Sequence, residues 1–142
     1  MKVKELMTPN VIRIRPEEPV AVAARNLTHY NIGMLPVCGS DGRLRGVITD
    51  RDIVTRCLAA GRSPEETTVG QIMTSQVHSV EPNAEASLAA AMMGKRQIRR
   101  LPVVENGRLC GMVSLGDLAN REDCNPDAAD ALGDICRNIS HR

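Results

Sequence analysis

Two short stretches of the chain set a hydroxyl and a carboxylate three residues apart: Thr49-Asp50-Arg51-Asp52 and Ser114-Leu115-Gly116-Asp117. This spacing fits the start of a helix, where each side chain bonds the other residue's backbone N–H. It also fits ligand chemistry. A helix start offers free N–H groups and partial positive charge to a phosphate. A carboxylate accepts the two hydrogen bonds of a vicinal diol. Glycine precedes each hydroxyl by three residues, at Gly46 and Gly111, and a strand glycine marks a place where something approaches the backbone closely. The capping role and the binding role are compatible.

A further candidate is Gln97-Ile98-Arg99-Arg100-Leu101-Pro102. Neighbouring strand residues point to opposite faces, so only one of the two arginines can face a given cleft; a solvated edge-strand arginine is the plainer reading. Facing a cleft, a guanidinium would make charge-assisted bonds to phosphate. His29, His78 and His141 are far apart and none stands at ligand spacing from a cysteine or carboxylate. His78 reads as an edge-strand histidine. Cys38, Cys57, Cys110, Cys124 and Cys136 are scattered, which gives neither a disulfide framework nor a zinc cluster. Each reads as a small buried hydrophobe in a reduced protein. Met92-Met93 reads as core or dimer interface. No nucleophile with its base, phosphate-cradling loop or metal-hydrolase helix is present in the sequence, so the reading is non-catalytic.

The scaffold for these residues is written twice. A shift of 66 carries Leu6-Met7-Thr8 onto Ile72-Met73-Thr74, Pro16 onto Pro82, Ile32 onto Ile98 and Leu35-Pro36-Val37 onto Leu101-Pro102-Val103. After a one-residue deletion, a shift of 65 carries Asp41-Gly42-Arg43-Leu44 onto Asn106-Gly107-Arg108-Leu109, Thr49 onto Ser114 and Asp52 onto Asp117. A unit this long, given only twice, is no solenoid repeat; it reads as two half-domains about a pseudo-two-fold axis. Val11-Ile12-Arg13-Ile14 alternates, predicting a short strand that stops at Pro16. Val20, Ala23, Ala24 and Leu27 keep helical spacing. The counterpart over 84–96 is apolar on almost every side and needs cover on every side: a sheet on one face and, on the other, a helix expected from another subunit. Segments 34–38 and 44–48 form a hairpin around Gly39-Ser40-Asp41-Gly42, matched by 100–104 and 109–113 around Asn106-Gly107. Helices follow near Asp50 and Leu115. The order strand, helix, strand, strand, helix therefore occurs twice, an α/β fold. Ser63-Pro64-Glu65-Glu66 and Thr68-Val69-Gly70-Gln71 carry capping signals between the copies. A last helix starts at Asn125-Pro126-Asp127, outside the repeat, with Ala128, Ala131, Leu132, Ile135 and Ile139 on one face.

Composition narrows the class. Of 142 residues, 42% are hydrophobic and 25% charged, the balance of an ordinary globular domain. Eighteen Lys and Arg against 17 Asp and Glu leave a net charge of +1, which argues against a dedicated nucleic-acid binder or a membrane-surface protein. Tyr30 is the sole aromatic among Phe, Trp and Tyr, so base stacking is unavailable and a flat ring would have to lie between aliphatic side chains. No apolar run approaches the ~18 residues of a membrane span, and the start MKVKELMTPN lacks a secretory apolar region. A cytoplasmic protein is expected.

The doubled pattern L/I-M-T, P, I-x-x-L-P-V, D/N-G-R-L and G-h-h-T/S-x-x-D resembles a tandem pair of CBS motifs, a Bateman module, from residue 1 to about residue 121. Residues 32–61 are similar to stand-alone bacterial CBS-pair proteins, hypoxic-response proteins among them. The resemblance implies motif 1 over 1–62, motif 2 over 63–121 and a helical tail over 122–142. It implies a sensor of an adenosine-containing ligand (AMP, ADP or ATP) with no required cofactor and no metal. It also implies a homodimer formed through the CBS helices, with a separate effector protein as a candidate partner.

In the first cleft the resemblance sets Val47, Ile48, Thr49, Arg51 and Asp52 opposite Thr74, Val77, Ile98, Arg99 and Arg100. In the second it sets Met112, Val113, Ser114 and Asp117 opposite Thr8, Val11, Ile32, Gly33 and Met34. The acid would take ribose hydroxyls and the Thr or Ser would sit by ribose or phosphate. Gly33 and Met34 stand where the first cleft has arginines, so the first cleft is expected to hold phosphorylated adenosine more tightly; Arg13 is a candidate substitute in the second. The alternatives are a ligand-free interaction or stress protein acting through its dimer surface, a sensor of S-adenosylmethionine or NAD, and a redox or metal sensor using the cysteines.

Overall fold

A computed structural model describes residues 1–121 and 124–140, with side chains described as far as Arg137. His141 and the side chain of Ile139 lie outside the described residues. In chain order the elements are a 3-10 turn (Val3–Glu5), β1 (Thr8–Pro9), α1 (Val20–His29), β2 (Met34–Cys38), β3 (Leu44–Thr49), α2 (Asp50–Asp52) running on as π-type turns (Ile53–Leu58), α3 (Val69–Ile72), α4 (Ala86–Arg96), β4 (Arg100–Glu105), β5 (Arg108–Ser114), α5 (Leu115–Ala119) and α6 (Asn125–Ser140). They form two compact units built from parts of both repeats. The first unit is Ile12–Val77 with Gly107–Leu109; the second is Met1–Val11, His78–Asn106 and the chain from Cys110 onward.

In the first unit, β2 and β3 pair antiparallel with Met34 opposite Thr49 and Leu35 opposite Ile48. Gly42, at φ +79°, makes the turn between them, a conformation glycine adopts without steric cost. Val20, Ala23 and Leu27 of α1 are buried with Leu35, Val37, Ile48 and Ile72 in one core. The strand expected over 11–14 is not formed. Only Ile14 bridges, to Val37, with its N–H donating to the Pro36 carbonyl at 3.0 Å and its carbonyl accepting from Cys38 at 2.9 Å. Pro36 has no N–H to extend that ladder. Thr68 caps α3 as expected, its N–H donating to Gln71 Oε1 at 2.9 Å.

The second unit holds a three-stranded sheet in the order β1-β5-β4. β1 pairs antiparallel with β5, Thr8 opposite Met112 and Pro9 opposite Gly111. The all-round apolar helix expected over 84–96 is α4, with Ala86, Ala89, Ala90 and Met93 buried. Its second cover is α6 of the same chain rather than a helix from another subunit: Ala128, Ala131 and Ile135 share its core. Gly94 makes the close approach possible, because a Cβ there would lie 2.9 Å from Asp134 Oδ2 and 3.2 Å from Ala131 Cα. Burying the Ile135 side chain alone contributes about 2 kcal/mol. Leu132, expected on the buried face of α6, is 41% exposed; it stands on the wall of a cavity rather than in the core.

Candidate functional site

In the first unit the end of β3 delivers Thr49 to the start of α2. Thr49 N–H donates to Asp52 Oδ2 at 3.1 Å and Asp52 N–H donates to Thr49 Oγ1 at 3.0 Å, the reciprocal cap that the spacing predicts. A third residue comes from the other repeat. Thr74 exchanges backbone hydrogen bonds with Val47 at 2.9 and 2.8 Å, and its hydroxyl lies 3.2 Å from both carboxylate oxygens of Asp52. Gly46 accounts for the close approach: a Cβ there would lie 2.4 Å from the Thr74 carbonyl oxygen. What nears the strand backbone at that glycine is the chain itself. Asp52 is consequently only 7% exposed.

Arg56 was not singled out by sequence. It donates through Nη1 to the carbonyls of Ile72 and Met73 at 3.3 and 3.2 Å, and its Nε lies 3.8 Å from Asp52 Oδ1. Its place four residues after Asp52, on the same helical face, is the signal that could have found it. Of the other first-cleft candidates, Val47 and Ile48 are buried, Arg51 is exposed and Val77 is half-buried. Ile32, Gly33 and Met34, assigned to the second cleft, adjoin Thr49 by backbone: Met34 is opposite Thr49 and the Gly33 carbonyl accepts from Asp50 N–H at 3.2 Å.

The second unit repeats the cap. Ser114 N–H donates to Asp117 Oδ2 at 2.8 Å and Asp117 N–H donates to Ser114 Oγ at 3.1 Å. Gly111 again admits the leader segment, with a Cβ there 2.5 Å from the Thr8 carbonyl oxygen. Thr8 itself is exposed and Asp117 half-buried; among the described residues no hydrogen bond joins them. Val113 is buried, while Met112 and Val11 are half-buried. Arg99 and Arg100 are exposed and Ile98 half-buried. The Arg99 carbonyl accepts from Leu115 N–H at 2.8 Å.

Other candidates fall away from these groups. Arg13 lines a recess with Cys38, Gly39 and Ser40, at the end of β2 remote from Met34. Four strand residues span ~13 Å, so Arg13 does not stand in beside Met34. His78 is exposed and outside any strand, which corrects the edge-strand reading. Cys38, Cys57 and Cys124 are buried, Cys110 is half-buried and Cys136 is exposed. Burial pushes the Cys38 thiol above its ordinary pKa, with Arg13 pulling part of the way back, so at neutral pH it is a thiol rather than a reactive thiolate. Among the described residues no three His, Cys, Asp or Glu side chains are placed to hold a metal ion, and no helix is long and apolar enough to cross a membrane.

Two copies of one repeat, each ending in a hydroxyl–carboxylate cap beside the other's leader segment, define the class. The CBS domain model matches residues 3–59 and 69–122, and the chain belongs to the CBS-domain family. It is 39% identical over 140 residues to the CBS domain-containing protein YhcV of Bacillus subtilis, covering 99% of this chain and 96% of that one. Hypoxic response protein 1 of Mycobacterium tuberculosis is 37% identical over 116 residues, 82% of this chain and 81% of that protein. The crystal structure of Hypoxic Response Protein I with two coordinated zinc ions has a TM-score of 0.78 and 36% identity, covering 85% of this chain and 98% of that one. The crystal structure of CBSX2 in complex with AMP has a TM-score of 0.72 and 28% identity, covering 82% and 91%.

Proposed function

We propose that this chain is a non-catalytic, cytoplasmic regulatory module that binds an adenosine-containing ligand, AMP, ADP or ATP, at Asp52 and more weakly at Asp117. Motif 1 runs over 1–62, motif 2 over 63–121 and the tail over 122–142. The observation that carries the reading is the state of Asp52, a nearly buried carboxylate at a strand-to-helix turn. An ionised carboxylate has about four acceptor positions, and here they meet one backbone N–H and one shared hydroxyl. A ribose diol can use the remaining capacity or displace the Thr74 hydroxyl. That CBSX2, a family member, is found with AMP supports the choice of ligand.

The ligand acts by linkage. It shifts the arrangement of the module only by the difference in its affinity for the competing states. Output then passes through a homodimer, through α6 or to a separate effector protein. Val54 and Leu58, each 55% exposed and four residues apart on one helical segment, favour association through the CBS helices. They also keep alive the reading of a ligand-free interaction protein.

A thermal-shift panel of AMP, ADP, ATP, S-adenosylmethionine and NAD separates the readings. A ligand at 100 times its Kd stabilises the folded state by about 2.7 kcal/mol. AMP, ADP or ATP is expected to raise Tm in wild type, and the rise is expected to shrink in Asp52→Ala. A flat response across the panel would support the interaction protein instead.

A further inference from the structure

At the turn end of the β2–β3 hairpin, within the first unit, lies a recess of about 430 Å3, inside the roughly 300–1,000 Å3 range of small-molecule sites. Its lining includes Arg13, Arg15, Glu18, Cys38, Gly39 and Ser40, and contains no residue of the two hydroxyl–carboxylate caps or of the segments set opposite them. Ile14 bridges to Val37 and is 2% exposed, so its side chain faces the core. Adjacent residues of an extended segment point to opposite faces, and Arg13 and Arg15 therefore both turn outward onto the recess. Cys38 holds this segment from below: its N–H donates to the Ile14 carbonyl at 2.9 Å and the Arg13 guanidinium lies beside its sulfur. Glu18 takes the Arg15 backbone, accepting from its N–H at 2.9 Å. Neither Arg13 nor Arg15 is in an ion pair among the described residues, whereas Arg45, beside Gly39, is paired with Asp41 at 3.6 Å.

These groups specify an occupant. Two guanidiniums without an acidic partner select an anion, and the planar fork of each matches one carboxylate bidentately. They stand two extended residues apart, about 7 Å between Cα atoms, which suits two carboxylates on one short carbon chain. A lone phosphate is met more often at a helix start, and no helix start is among the lining residues. The facing wall is Gly39 and Ser40, which gives a hydrocarbon tail nothing to lie on and offers a hydroxyl donor instead. We propose that this recess binds a small di- or tricarboxylate, one carboxylate on Arg13, a second on Arg15, and a remaining oxygen on the Ser40 hydroxyl. The site lies at the other end of β2 from Met34 and does not depend on the adenosine reading.

The test is calorimetric titration of the full chain with citrate in metal-free buffer at about 0.15 M salt, which screens exposed charges. Acetate and inorganic phosphate serve as controls, with AMP in parallel. Citrate is expected to bind one per chain, and acetate and phosphate each at least ~10-fold more weakly, as loss of one set of charge-assisted bonds requires. Arg13, Arg15 and Ser40 are exposed, so the fold tolerates change at each. Arg13→Gln and Arg15→Gln are each expected to weaken citrate by at least ~10-fold. Ser40→Glu, which sets a carboxylate in the recess, is expected to abolish citrate binding. AMP binding is expected to be unchanged in all three variants, and citrate binding unchanged in Asp52→Ala. Citrate binding that is absent, not saturable at one per chain, or undiminished in Arg13→Gln and Arg15→Gln would overturn the proposal. So would phosphate binding as tight as citrate, or displacement of citrate by AMP. Failure of AMP with citrate binding intact would instead count against the adenosine reading alone.

Discussion

Asp52 and Asp117 occupy the same place in the two repeats and sit in the same reciprocal cap. Both follow a strand whose glycine lets the other repeat's leader lie against it. Beyond that the two regions part. Thr74 reaches over Asp52 with its hydroxyl and Arg56 pins the segment before it, whereas Thr8 is turned to solvent and Asp117 is half-exposed. Arg121, the counterpart of Arg56, makes no ion pair among the described residues. The signature T/S-x-x-D thus determines the cap, and residues outside it determine how the carboxylate is held. Two sites with one motif need not have one affinity.

That comparison can be broken at several points. The largest effect is expected from the glycines. Gly46→Ala and Gly111→Ala each drive a methyl into a carbonyl oxygen and should cost roughly 1–3 kcal/mol in denaturant unfolding; a harmless Gly111→Ala would mean that the Thr8 leader is not seated as described. Next comes Thr74→Val, which removes the hydroxyl from a buried carboxylate and should cost about 1 kcal/mol. Thr8→Val should stay within ~0.5 kcal/mol, and equal losses would erase the asymmetry.

Arg56→Met should lose about 0.5 kcal/mol, since the side chain is half-exposed, and Arg121→Met nothing measurable. The smallest effect is electrostatic and confined to the second unit. Lys2 and the N-terminal amine hydrogen-bond Glu85 and hold its pKa below the ordinary value. A depressed carboxylate pKa stabilises the fold above the unfolded pKa and loses that contribution as pH falls through the folded one. Wild type should therefore lose slightly more stability in acid than Glu85→Gln, as measured by Tm against pH.

Much of this architecture was legible because local chemistry and repeat agreed. The hairpins, the helices after Asp50 and Leu115, both caps and the Thr68 cap follow from turn residues and hydroxyl–acid spacing. Alternation over 11–14 predicts a strand but says nothing about the partner, and Pro36 withholds the N–H a ladder needs. Because α6 lies outside the repeat, the repeat alone points to another subunit for the second cover of α4; the small face of Ala90 and Gly94 is the signal of a close intramolecular helix. Arg56 and the cavity beneath α6 escaped notice because their contacts bring together residues remote in sequence. Arg13 shows the converse, since its charge suited the second cleft while its position along β2 did not.

On the proposed function a capped, nearly buried carboxylate binds the ligand, and binds it unequally in the two repeats. Calorimetric titration of AMP into wild type, Asp52→Ala and Asp117→Ala tests this most directly. Asp52→Ala is expected to lose the tighter site, weakening AMP by ~10–100-fold as loss of charge-assisted hydrogen bonds implies, while Asp117→Ala retains it. Equal losses in the two variants, or undiminished binding in Asp52→Ala, would contradict the account.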